Sequence, residues 1–292
     1  MGIMRFNYRS QAIGQYVDIT ITIPTDGFSY YDMSGGARHH TLPNANHVMP
    51  VYRPGMKFQT VYLMHGGGDD DSLVFRYTNA ERYADRNRVM LVVPNVANSF
   101  GVDTNYGRNY STFITEELPV VIQSLFPSSP AREDNFIVGY AMGGNAALGN
   151  ALMHPELYRA CVDMSGGIGL TVNTETLKNE LESEHFSHFP IYLSTFGPSD
   201  ELEGSRHDMA LAARRNLERG VELPDFHIIC GSDEFIRERV EADVRTLREI
   251  GYQINYICPE GYRHDFDLWD KYLQVVFDEL LPLRRAAIDP VS

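Results

Sequence analysis

Short apolar runs alternate with helix-length stretches along this chain, and that rhythm predicts an α/β fold. The implied architecture is a mostly parallel central sheet covered by helices on both faces, with one excursion. A second observation sharpens it. The apolar run Asn135-Phe136-Ile137-Val138 enters the glycine turn Gly139-Tyr140-Ala141-Met142-Gly143-Gly144, and an Ala- and Leu-rich helix follows from Asn145 to Leu152. A third is size: 292 residues, 43% hydrophobic and 22% charged, suffice for one large domain spanning 1–292.

In chain order, Gln15 to Pro24 alternates apolar and polar residues, as a half-buried strand near a sheet edge does. A long turn-rich insertion covers about 25–58 and carries Tyr30, Tyr31, His39, His40 and His47. Thr60 to Met64 is a strand ending at His65-Gly66-Gly67-Gly68. A helix over Asn79 to Asn87 precedes the buried strand Val89 to Pro94, and Thr112 to Leu125 repeats its apolar positions every three or four residues. After the glycine turn comes a strand at Ala160 to Met164. Residues 167–222 then break the rhythm and read as a cap-like excursion over the sheet. The alternation resumes with a strand at Phe226 to Gly231, a helix at Arg237 to Ile250, a strand at Gln253 to Cys258 and a terminal helix from about Leu268 to Leu283.

A net charge of −14 argues against a nucleic-acid partner, since phosphate binding needs a basic face. No run reaches the roughly 18 apolar residues of a membrane span. Met1 to Tyr8 has no apolar leader core, which predicts a cytoplasmic protein, with a processed secreted form as the alternative. Cys161, Cys230 and Cys258 lack metal-site spacing and form an odd set, so they are expected to be buried, reduced thiols. The histidines of the insertion have no accompanying carboxylate or cysteine spacing, and loop positions rather than a metal site are expected for them. Asp69, Asp70 and Asp71 are expected to cap the next helix, and Asp208 to be structural. Oligomeric state stays open, a homo-oligomer included.

The glycine turn has the form of a nucleophile elbow, which presents a reactive side chain above a sheet. At its centre, where a hydroxyl belongs, stands Ala141. Acyl transfer also needs a base, a group to orient it, and donors for the developing oxyanion. His264 follows the last strand, where the base belongs; Asp233 and Glu234 follow the preceding strand, where the acid belongs. The backbone N–H of Met142 is one expected oxyanion donor, and the turn at Gly67 supplies the other.

The stretches that carry a family likeness are Leu63-Met64-His65-Gly66-Gly67, Glu117-Leu118-Pro119, Arg132 to Gly139, Ala141-Met142-Gly143-Gly144, His154-Pro155-Glu156-Leu157, Cys230-Gly231, and His264-Asp265-Phe266 with Trp269-Asp270. In them the chain resembles the esterase D, tributyrin esterase and feruloyl esterase group of α/β-hydrolases, from the first strand to Trp269. The resemblance implies an α/β-hydrolase fold, a serine at position 141, His264 as base, Gly67 and Met142 as oxyanion donors, and no metal or organic cofactor. It places the acid at Glu234, in register with the following helix, with Asp233 the neighbouring alternative. It also implies a small-molecule or carbohydrate ester as substrate: short acyl, acetyl or hydroxycinnamoyl. Because His264, the acid pair and the glycines all persist, the chain reads as an esterase in nucleophile-to-alanine form. The alternatives are a natural pseudoenzyme that binds without cleaving and a thioesterase of the S-formylglutathione hydrolase type.

Overall fold

The computed structural model describes residues 1–24, 54–167, 172–183 and 190–290. His39, His40, His47, Tyr30 and Tyr31 therefore lie outside the described residues, as does most of the expected insertion. Eight strands form one sheet: β1 (Gly2–Arg9), β2 (Tyr16–Ile23), β3 (Thr60–Met64), β4 (Met90–Pro94), β5 (Asn135–Tyr140), β6 (Ala160–Met164), β7 (Asp225–Ile229) and β8 (Ile254–Ile257). Their order is β1-β2-β4-β3-β5-β6-β7-β8. β1 and β2 pair antiparallel, as do β2 and β4; every other neighbouring pair is parallel.

The central strands β3, β4 and β5 are buried on both faces because helices cover both. On β3, Tyr62 and Met64 join the core beneath the Met142–Met153, Met209–Glu218 and Arg237–Ile250 helices. Val61 and Leu63 of the same strand point the other way, against the Ala80–Arg86 and Phe266–Val275 helices. The mostly parallel, helix-covered sheet expected from the alternation, and the α/β-hydrolase fold that the resemblance implies, are what this sheet and its two layers make.

Several local expectations need correction. Gln15 to Pro24 lies near the sheet edge, one strand in, but more of it is buried than the alternation implies: Thr20 and Thr22 are buried, and the Thr20 hydroxyl donates to Asp71 Oδ2 at 2.6 Å. The true edge is β1, where Ile3 and Met4 are exposed and only Phe6 and Tyr8 pack on the core. The helix expected from Thr112 begins at Tyr110 and widens to a π turn over Phe113–Glu117. Pro119 follows directly and lacks the N–H that a regular turn would use there. The terminal helix stops at Leu280 rather than Leu283, because Leu281 precedes a proline and is extended. Cys161 and Cys230 are buried, but Cys258, just past the last strand, is exposed.

The three aspartates mostly do not cap. Asp70 Oδ1 accepts from the Ser72 N–H at 2.8 Å, at the start of the Leu73–Tyr77 helix. Asp71 holds Thr20, and Asp69 Oδ2 accepts from the Tyr140 hydroxyl at 2.9 Å. Asp208 does cap, accepting from the Leu211 N–H at 2.9 Å. Glu117 ties the loop after β1 to its helix through the Ser10 hydroxyl and the N–H groups of Gln11 and Ala12, at 2.8, 3.0 and 2.9 Å.

Because β3 and β5 to β8 run parallel, their carboxyl ends share one edge of the sheet, where ligands of open α/β sheets bind. The tightest packing lies there. A Cβ on Gly139 would stand 1.9 Å from the Gly143 carbonyl oxygen, one on Gly143 would stand 2.1 Å from that of Met64, and one on Gly144 would meet Asp163 Oδ1 at 2.2 Å. The strand-to-helix crossing exists only without side chains at these points.

A pair of alanine substitutions separates this constraint from ordinary backbone strain. Gly143→Ala must displace backbone and is expected to cost about 4 kcal/mol or more, or to prevent folding. Gly14→Ala, at φ +77° with nothing within 4 Å, should cost about 1 to 2 kcal/mol. Urea midpoints check both; equal costs would show that the crossing tolerates a side chain.

Candidate active site

β5 ends in a turn that forces Ala141 to φ 50°, ψ −127°, a conformation costly for any residue with a Cβ. The Ala141 N–H donates to the Met164 carbonyl at 2.9 Å, and its own carbonyl accepts from Gly144 at 2.9 Å. The side chain at 141 thus stands at the sheet edge, beside a cleft of about 420 Å³ that Gly67, Met142 and His264 also line. A Cβ placed on Gly66 would stand 3.4 Å from that of Ala141, so the loop after β3 lies directly against the turn.

This loop is held by His65, which the sequence showed only as part of a motif, and by Asn98, which it did not single out. His65 is fully buried: its Nε2 accepts from the Val96 N–H at 2.9 Å, and its Nδ1 faces the Gly66 carbonyl at 2.8 Å. An acceptor Nε2 leaves the proton on Nδ1, which donates to Gly66. Burial lowers the pKa of the ring, consistent with this neutral form. On the other side, the Gly68 N–H donates to Asn98 Oδ1 at 2.7 Å. Between these clamps the N–H of Gly67 has no hydrogen-bond partner among the described residues, and neither does that of Met142. A Cβ on Gly67 would lie 3.9 Å from that of Met142, so the two face each other across the turn.

His264 follows β8, and its Nδ1 lies 2.6 Å from Glu234 Oε2. The other carboxylate oxygen, Oε1, accepts from the Ser165 hydroxyl at 2.7 Å and the Gly231 N–H at 2.8 Å. Ser165 is oriented in turn by the Trp269 indole N–H, which donates to its oxygen at 3.1 Å. Burial by itself would raise the pKa of Glu234, but the bonds from His264, Ser165 and Gly231 outweigh it and hold the carboxyl below its ordinary value of 4.5. Asp233, the neighbouring candidate, is exposed; it accepts from the Ser232 hydroxyl at 2.7 Å and does not reach the imidazole.

With Nδ1 on the carboxylate, Nε2 of His264 is free of protein partners among the described residues. Phe235 and Trp269 flank the ring at centroid distances of 5.1 and 5.0 Å. Beneath the turn, Asp163 is buried and its pKa is pushed up to about 7 by desolvation, while the Gly166 N–H donates to it at 2.6 Å.

Sequence reasoning placed Ala141, His264, Gly67 and Met142 here and favoured Glu234 on register with the following helix, keeping Asp233 as the alternative. It missed Ser165 and Asn98 and noted Trp269 only as part of a motif. Ser165 follows β6, which carries no expected catalytic residue, so only its contact with Glu234 could have drawn attention. Among the described residues, no set of three or more His, Cys, Asp or Glu side chains is arranged to hold a metal ion, and no helix is long and apolar enough to cross a membrane.

The sheet order, the strained turn after β5 and the residues after β7 and β8 define an α/β-hydrolase. Residues 42–274 match the family described as "Putative esterase", and the chain belongs to that family. It is 27% identical to an acetyl esterase of Caldicellulosiruptor saccharolyticus over 242 residues, covering 79% of this chain and 90% of that one. Among solved structures it is similar to FphF, a fluorophosphonate-binding serine hydrolase of Staphylococcus aureus, with a TM-score of 0.76 and 24% identity over 96% of this chain and 98% of the other. The S-formylglutathione hydrolase FrmB of the same organism gives a TM-score of 0.73 and 22% identity over the same shares.

The depressed pKa of Glu234 makes a pH-dependent contribution to stability. The native state binds fewer protons here than the unfolded chain. The contribution is therefore complete above the unfolded value and is lost as pH falls through the folded one. In urea titrations from about pH 7 down to about pH 3, the gap between this chain and Glu234→Gln should narrow as pH falls. A gap independent of pH would mean that the charge on Glu234 contributes nothing.

Proposed function

We propose that the chain is a carboxylic ester hydrolase acting on short acyl, acetyl or hydroxycinnamoyl esters, carried here in a form whose nucleophile position is alanine. The supporting observation is the His264–Glu234 pair at 2.6 Å on the same cleft as Ala141 and the unpaired N–H groups of Gly67 and Met142. The acetyl esterase relative supports the acetyl end of that range.

With a serine at 141, its Oγ would attack the ester carbonyl carbon while His264 Nε2 takes the hydroxyl proton. The oxyanion so formed would sit between the Gly67 and Met142 N–H groups. Collapse would break the bond to the alcohol, whose oxygen receives the proton from His264, leaving an acyl-serine. Water, deprotonated by the same imidazole, would then release the acid. Glu234 keeps the Nδ1 proton in place and stabilises the imidazolium. In the present chain the methyl of Ala141 offers no attacking atom, and the ester binds uncleaved.

Ala141→Ser is the direct test. Short aryl and alkyl acetates should be turned over by the serine variant about a millionfold faster than by the parent chain, the scale of triad losses elsewhere. A serine variant inert towards a broad ester panel would leave a binding protein. One that strongly prefers acyl thioesters over oxygen esters would make the chain a thioesterase.

A further inference from the structure

Asp163 carries a buried carboxyl that the acyl-transfer steps do not use. It stands near the end of β6, in register with Gly139 of β5 and Ile228 of β7, and only 3% of it is exposed. An apolar side chain would fill that place without the desolvation cost of a carboxylate.

One of its oxygens lies between two glycines. A Cβ on Gly144, in the first turn of the helix that follows Ala141, would stand 2.2 Å from Asp163 Oδ1, and so would a Cβ on Gly166. The same oxygen accepts from the Gly166 N–H at 2.6 Å. Between Asp163 and Gly166 the chain touches both halves of the site. The Met164 carbonyl accepts from the Ala141 N–H at 2.9 Å, and the Ser165 hydroxyl donates to Glu234 Oε1 at 2.7 Å. Ser165 makes its bond at φ 58°, a conformation that a β-carbon disfavours and that the closure from Asp163 to Gly166 holds. Resting on the ester hydrolase reading, we infer that Asp163 is a positioning residue for that reaction. Its carboxyl spaces the elbow helix from the loop after β6 and fixes the Ser165–Glu234–His264 arm relative to position 141.

The carboxyl also brings a charge, which a plain spacer would not. Burial pushes its pKa up to about 7; the Gly166 bond opposes the rise and the charge on Glu234 adds to it. Of the other titratable groups around it, Asp243 of the Arg237–Ile250 helix is raised well above its ordinary value by burial and stays neutral. The Cys161 and Cys230 thiols are pushed up likewise, and the helix that begins at Met142 brings no titratable group. Glu234 is therefore its charged neighbour. As pH rises through about 7, the charge gained at Asp163 favours the imidazolium of His264 behind Glu234. The base then holds its proton to higher pH than Glu234 alone would allow.

The test uses Asp163→Ala and Asp163→Asn in the Ala141→Ser background. Asp163→Ala removes both acceptor and spacer, so kcat on an aryl acetate should fall about tenfold with KM within about twofold. Asp163→Asn keeps an acceptor for Gly166 and should recover most of that loss. It also removes the ionisation, so the rise of kcat with pH should become a single, steeper step whose midpoint lies about half a pH unit lower. In the parent chain, an NMR titration of the His264 ring should show the same downward shift on Asp163→Asn, with no turnover needed. Unchanged kcat in Asp163→Ala, or a pH profile that Asp163→Asn leaves in place, would make the carboxyl structural only while the hydrolase reading stands. Should Asp163→Ala not fold, the Asn profile decides. A serine variant that cleaves nothing while the His264 titration still shifts would overturn the hydrolase reading and keep the hold of Asp163 on the imidazole.

Discussion

Everything at the carboxyl edge of the sheet depends on how closely the backbone of residues 139–144 is pressed between β3 and β6. Gly143 lies on the Met64 carbonyl, and Gly144 on Asp163. That contact leaves the chain no relaxed path from β5 into the following helix, and Ala141 absorbs the difference at φ 50°. The strain, of order 1–3 kcal/mol, persists because the strands on either side over-determine it. One consequence is that whatever side chain occupies 141 stands clear of the sheet. Another is that the Met142–Met153 helix begins immediately beyond it, so its first N–H groups and positive dipole end face the same spot. Orientation of the side chain at 141 and an environment suited to negative charge thus come from one packing event.

The second dependence is electrostatic. Glu234 has a fully buried side chain, and a charge in that position is tolerated only if its oxygens are satisfied. Three donors do this, from Ser165, Gly231 and His264, and they reach the carboxylate from β6, β7 and β8 in turn. The pairing of those strands therefore sets the orientation of the imidazole. Ser165 accepts a positive φ of 58° to make its contact, a second local cost at the same edge. Trp269 bonds to Ser165 and packs edge-on against His264, linking the helix after β8 to both.

Several residues of the family motifs turn out to hold the scaffold. Glu117 accepts three hydrogen bonds from the loop after β1, and Asp270 ties its helix to Asn79 and Tyr83. His65, adjacent to the glycines, is a buried neutral ring that shapes the Gly66–Gly68 loop through a donor on one side and an acceptor on the other. A motif residue and a reacting residue look alike in a sequence. Only the side chains they touch separate them, which is why Ser165 and Asn98 escaped notice while the three aspartates after the glycines invited a capping role.

The sequence by itself determined the fold class and the interior strands, and it marked the turn after β5 and the residues after β7 and β8 that the fold brings together. Strand periodicity, glycine at points of close approach and the order of elbow, acid and histidine are local properties written in consecutive residues. Only the tertiary structure decided which carboxylate meets His264. Asp233 and Glu234 are adjacent and of similar chemistry, and their difference is whether a strand end turns the side chain inward to Ser165 and Gly231 or outward to Ser232. It also decided how deeply β2 is buried, because Thr20 and Thr22 pair with Val93 and Leu91 of β4 and the Thr20 hydroxyl reaches Asp71, all distant in the chain. Contacts between residues far apart in the chain carry no local signature.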